Sequence, residues 1–99
     1  MLVHVVFFWL KKDLSEADKM KFVAGVNSLG TIDILKSFHV GPPAATAKRP
    51  SIDDSYDYGL YTSFADVAGH DKYQTEPVHL KFLADCKHLW ESVKVYDFE

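Results

Sequence analysis

The sequence predicts an α+β sandwich with the element order βαββαβ, and three features of its 99 residues carry that prediction. Four short runs are rich in aromatic and β-branched residues, the composition of strands. Two stretches between them repeat apolar residues at helical spacing. The first strand is apolar on both sides, so its sheet needs cover front and back.

Leu2–Leu10 forms the first strand, with Val3, Val5, Phe7 and Trp9 on one face and His4, Val6 and Phe8 on the other, before Lys11-Lys12-Asp13 turns the chain. This alternation leaves open which face carries His4. Ser15 is an N-cap, with Asp18 as the returning partner of a capping box. Phe22, Val23, Val26 and Leu29 make one apolar stripe, and Gly30 supplies a C-terminal stop. Asp33–Val40 is the second strand, ended by Gly41-Pro42-Pro43. Gly41 to Ser55 is irregular, either a binding loop or slack. Tyr56–Phe64 is the third strand, in which Gly59 marks a bulge or a close approach. A short helix follows over Ala65–Gln74 with Asp66 as N-cap, and Pro77 opens a second helical stretch, where its missing N–H costs nothing. Val78, Phe82, Leu83, Cys86, Leu89 and Trp90 trace its apolar stripe, and His79 shares that inward side. Ser92–Phe98 is the last strand. The order is the split βαβ of a ferredoxin-like sandwich with a four-stranded antiparallel sheet.

The length suits a single domain over residues 1–99, and 47% hydrophobic with 25% charged residues is globular rather than disordered composition. Eleven basic against fourteen acidic residues give a net charge of -3 with no basic stripe, which argues against nucleic acid as a partner. The longest apolar run, Val5 to Leu10, is too short to span a bilayer, and a single cysteine, Cys86, closes no intrachain disulfide. A soluble, cytoplasmic protein without a membrane partner is expected. One layer of helices leaves an apolar sheet face bare, and a second copy packed face to face through that face is the expected cover.

The opening Leu2-Val3-His4-Val5-Val6-Phe7 strand, the Tyr56-Asp57-Tyr58 strand ending in Phe64, and the segment from Tyr73 through Pro77 and His79 to Phe82 resemble the stress-responsive A/B barrel domain family over nearly the whole chain. The most specific part is a tyrosine followed by a His-Pro-x-His segment; here Tyr73, Pro77 and His79 are kept, and Glu76 stands where the family usually has its first histidine. The resemblance implies a dimeric α+β barrel and by itself fixes no activity. One plant member, a polyketide cyclase acting by aldol condensation, uses a tyrosine and a histidine matching Tyr73 and His79, with a pocket histidine matching His4. The wider superfamily includes cofactor-free monooxygenases, haem-degrading enzymes and lactone isomerases, so fold analogy selects no reaction.

Two readings of the candidate site follow. In one, His79 in the first turn of its helix is a neutral base, Tyr73 donates a hydrogen bond to a developing enolate, His4 orients, and Phe82 lines an apolar pocket for a small apolar or aromatic ligand. The function is then that of a cofactor-independent cyclase or isomerase. In the other, His79 is a core histidine satisfied by a backbone carbonyl or by Tyr73, both are kept for packing, and the protein is a non-catalytic stress-associated or structural module that works by dimerising. An enclosed pocket of roughly 300 Å³ or more with Tyr73 and His79 facing into it favours the first, and a filled core favours the second. No cofactor is indicated. His39, His70 and His88 lack a ligand spacing, so no metal site is expected, and His70 with Asp71 reads as solvated. Asp53-Asp54 reads as a solvated turn, Lys48-Arg49 as surface, Cys86 as packing, and Trp9, Trp90 and Phe98 as core or dimer interface.

Overall fold

A computed structural model describes residues 1–99. Its elements run β1 (Leu2–Leu10), α1 (Glu16–Ser28), β2 (Ser37–Gly41), β3 (Tyr58–Phe64), α2 (Val67–Gln74), α3 (Pro77–Cys86) and β4 (Trp90–Phe98), with 3₁₀ turns after α1 and α3. The strands lie in the order β2-β3-β1-β4, all neighbours antiparallel. This is the expected ferredoxin-like sheet, with the helices on one face.

Burial settles the direction of β1. Leu2, His4, Val6, Phe8 and Leu10 are buried under the helices, while Val3, Val5, Phe7 and Trp9 are half-buried on the outer face. Residues paired across antiparallel strands point the same way. Val93, Val95 and Asp97 of β4 therefore share the helix side with Phe8, Val6 and His4, whereas Lys94, Tyr96 and Phe98 lie outside with Phe7, Val5 and Val3. The core joins Phe8, Phe22, Phe64, Tyr73 and Phe82. Phe8 meets Phe22 edge to face at 5.2 Å, an arrangement that suits the ring quadrupoles.

The helix starts follow the sequence. Ser15 Oγ accepts from the Asp18 N–H at 3.1 Å, though only this half of the capping box forms. Asp66 Oδ1 accepts from the Gly69 N–H at 2.9 Å, and Pro77 takes the first position of α3. The stop at Gly30 differs. No residue adopts a positive φ, and α1 instead tightens into a 3₁₀ turn over Leu29–Thr31. Gly30 is small because the Phe38 ring lies 2.8 Å from where a Cβ would stand.

Strand bounds also differ. β2 begins at Ser37, not Asp33, because the Leu35 N–H closes a turn on the Ile32 carbonyl at 3.3 Å that seats Ile32 in the core. β3 begins at Tyr58; Asp57 is spent tying two strands together, its N–H on the Phe8 carbonyl at 2.8 Å and its carboxylate on the Leu10 N–H at 2.7 Å. Gly59 keeps regular register, so there is no bulge there, and the close approach is by the Phe7 ring. β4 starts at Trp90, whose pairing with Leu10 follows a register shift at Trp9/Leu10.

Candidate functional site

A cavity of about 270 Å³ opens between the helix side of the sheet and α3, and His4, Tyr73, His79 and Phe82 all line it. Its volume falls just below the ~300 Å³ expected of a ligand site, and it is open to solvent rather than enclosed, so it is neither the enclosed pocket nor the filled core that the sequence reading set against each other. An apolar cavity of about 150 Å³ already holds benzene, so there is room for one substituted ring. Trp90 and Val95 add apolar wall, and Gln74 and Lys87 are the other polar liners.

The candidate polar side chains are each placed by a different element. His4 is only 5% exposed on β1, and its carbonyl accepts from the buried Thr62 hydroxyl of β3 at 2.8 Å, which pins the strand under the cavity. Tyr73 closes α2 and is 1% exposed. The Pro77 break then turns the chain so that His79, in the first turn of α3 and 8% exposed, brings its ring to 4.8 Å from the Tyr73 ring. Two side-chain atoms in this apolar setting lack a well-formed hydrogen bond: Tyr73 Oη and His79 Nδ1. Buried polar atoms are nearly always paired, and leaving one unpaired costs about 1–3 kcal/mol. Tyr73 lacks the local partner that the core reading expects, whereas His79 has a hydrogen bond to the Gln74 main chain.

Electrostatics keep these groups uncharged. Burial pushes the Tyr73 hydroxyl well above its ordinary value, so it stays a proton donor. Burial also pulls His79 down; the Gln74 main chain opposes this, and the nearby His4 and His70 imidazoles reinforce it. His4 is lowered by burial as well, against the raising effect of its hydrogen bond and charge attraction with Asp97. Because an ionised carboxylate can only accept, neutral His4 carries its proton on Nδ1, toward Asp97, and its lone pair on Nε2.

Asp97 and His70 were not visible as site residues in the sequence. Asp97 sits opposite His4 in the β1–β4 register and hydrogen-bonds to it. His70 lies one helical turn before Tyr73 on α2, and its ring stands 4.7 Å from that of His4 and 5.6 Å from that of Phe64. It is therefore packed against the site and not solvated; its neighbour Asp71 is exposed. The signals were the alternation Val93, Val95, Asp97 and the three-residue step from His70 to Tyr73. Donor atoms of His4, His70 and Asp97 lie within 4.8 Å of one another, a grouping able to hold a metal ion.

The remaining residues lie elsewhere. His39 and His88 are exposed. Lys48 pairs with Asp54 within the long loop, Arg49 donates to Ser51, and Asp53 caps the Ser55 N–H and hydroxyl. Cys86 is sealed in the core, and burial raises its thiol. Trp90 packs on Phe8 and Phe82, while Trp9 lies on the outer face with its indole N–H on Ser55 Oγ at 3.1 Å. No helix is long and apolar enough to cross a membrane.

Fold and site together define a ferredoxin-like α+β protein with a ring-sized, polar-tipped cavity between sheet and helices. The chain belongs to the stress-responsive A/B barrel domain family, whose model matches residues 2–99. No protein of curated function matches it in sequence. Among solved structures it is similar to a ferredoxin-like member of the same family from Mesorhizobium loti, with a TM-score of 0.77 and 26% identity over 99% of this chain and 94% of that one. A dimeric ferredoxin-like protein from Thermobifida fusca gives a TM-score of 0.78 at 18% identity, covering 98% of this chain and 88% of the other. Hydroxynitrile lyase from Passiflora edulis gives 0.77 at 20% identity, covering 98% and 90%.

Proposed function

We propose that the chain is a homodimer in which each subunit binds a small, largely apolar aromatic or polyketide-like ligand bearing a carbonyl or phenolic oxygen. The observation that carries this is that Tyr73 and His79 both line a largely apolar cavity while the Tyr73 hydroxyl is buried without a hydrogen-bond partner. A ligand oxygen that accepts from the Tyr73 hydroxyl would offset the cost of burying that group unpaired. Thermal shift and calorimetric titration with phenolic acids and β-polyketone mimics test it. Binding that is lost in Tyr73→Phe supports the reading, and the absence of binding across the series contradicts it.

A second reading is favoured by the His4–Asp97 pair: cofactor-independent cyclisation or isomerisation of such a ligand. The neutral His79 imidazole takes a proton from the carbon next to the carbonyl, the C–H electron pair moves into the enolate, and Tyr73 donates a hydrogen bond to its oxygen. His4, held by Asp97, orients the substrate. The Passiflora edulis neighbour is an enzyme on this fold, which supports a chemical use of the cavity but transfers no substrate to this chain. Deuterium uptake at the α-carbon of a bound ketone, followed by NMR in wild type and His79→Ala, tests the step.

The dimer would use the outer sheet face, where Val3, Val5, Phe7 and Trp9 meet exposed Tyr96 and Phe98. A bare face of this kind marks an interaction site, and solved neighbours are described as dimeric. The net charge of -3 and the lone buried thiol fit a reducing, cytoplasmic setting without nucleic acid or membrane partners.

A further inference from the structure

We propose that His4, His70 and Asp97 form a three-ligand site for a divalent first-row transition ion of the zinc class, behind the cavity. The donors come from the start of β1, from α2 and from the end of β4, so folding alone assembles them. Two imidazole nitrogens and one carboxylate oxygen suit zinc, cobalt or nickel, whereas calcium and magnesium prefer all-oxygen shells. The donor atoms lie within 4.8 Å of one another, and a tetrahedral zinc with bonds of about 2.0–2.2 Å holds its donors about 3.3 Å apart. Side-chain shifts of about 1 Å would part the close His4–Asp97 pair and draw in the third donor, and Asp97 is 46% exposed on an edge strand.

The surroundings also fit. With the ion on His70 Nε2, the ring proton on Nδ1 donates to Asp71 Oδ1 at 3.3 Å; with the ion on Nδ1, the Gln74 amide beside Nε2 must turn its oxygen to the ring to accept. Such outer partners orient ligating imidazoles. The His4 and His70 rings face each other at 4.7 Å with a 53° tilt and no hydrogen bond between them, so their contact serves no protein-only bond. Three protein ligands leave a coordination position open, and the exposed carboxylate gives solvent access. Metal on His4 Nδ1 takes the place of the proton now shared with Asp97, and the single ring proton relocates to Nε2. An occupied site therefore removes the Nε2 lone pair of His4.

The inference is independent of any organic ligand, and Co²⁺ titration of EDTA-stripped, buffer-exchanged protein tests it. The expected result is saturable visible absorption at one ion per chain, displaced by Zn²⁺, with affinity at least about tenfold weaker in His70→Ala and Asp97→Asn and unchanged in His39→Ala and His88→Ala. In the wild type, Zn²⁺ should shift the His4 and His70 ring resonances and leave those of His39 and His88 in place, which reads the site even if a variant fails to fold. No saturable binding, or binding that moves only the exposed histidines, would overturn the site.

Discussion

The His4 imidazole and the Asp97 carboxylate are hydrogen-bonded across 93 positions of sequence because the antiparallel β1–β4 register sets them opposite each other on the helix side of the sheet. This pairing fixes the proton of a buried ring. In metal-free protein, imidazole ¹⁵N shifts should report His4 protonated on Nδ1. Asp97→Asn, whose amide presents donors as well as an acceptor, should relax that preference and populate the other tautomer. A wild-type ring protonated on Nε2 would contradict the arrangement.

Tyr73→Phe separates stability from binding. The hydroxyl it removes is buried and unpaired, so its loss should leave unfolding free energy unchanged or raise it by up to about 1 kcal/mol in urea titrations. A phenolic hydroxyl kept for the core would instead give a destabilised protein. Ligand affinity should fall in the same variant.

His79 makes stability pH-dependent. Its folded-state pKa is lowered by burial, with His4 and His70 adding to the effect against the Gln74 main chain, so below about pH 6.5 the unfolded chain binds more protons than the folded one. The His79 contribution is complete above the unfolded value and is lost as pH falls through it toward the lower folded value. Denaturant midpoints between pH 8 and pH 5 should decline less steeply in His79→Gln than in wild type. Equal slopes would show that the ring is not held neutral by its surroundings.

The outer face should be the association surface. Tyr96→Asp combined with Phe98→Asp alters two side chains that are 53% and 60% exposed on the single chain, so the subunit fold should persist. Sedimentation equilibrium should find a dimer for wild type and a monomer for the double variant. A monomeric wild type at micromolar concentration contradicts the proposed assembly.

What the sequence made legible was local. Alternation in β1, the Ser15 and Asp66 caps, the proline opening α3 and the inward side of His79 are signals written within a few residues. The turn at Ile32 that shortens β2, and Phe38 standing where a Gly30 side chain would be, depend on contacts between distant segments. Tyr73, His79 and His4 were found through the family resemblance, His79 and Phe82 also through the helical stripe, and all four line the cavity. The side of β1 that carries His4 was hidden because both faces are apolar, and Asp97 and His70 were hidden because register and helix docking bring them in.

The central claim is that the cavity holds a ligand on Tyr73 and His79, and NMR titration of the dimer with a phenolic acid series addresses it most directly. The account predicts saturable shifts confined to Tyr73, His79, His4 and the apolar walls at Phe82 and Trp90, absent in Tyr73→Phe. Saturation without movement of the Tyr73 and His79 rings, or no saturation by any member, would contradict it.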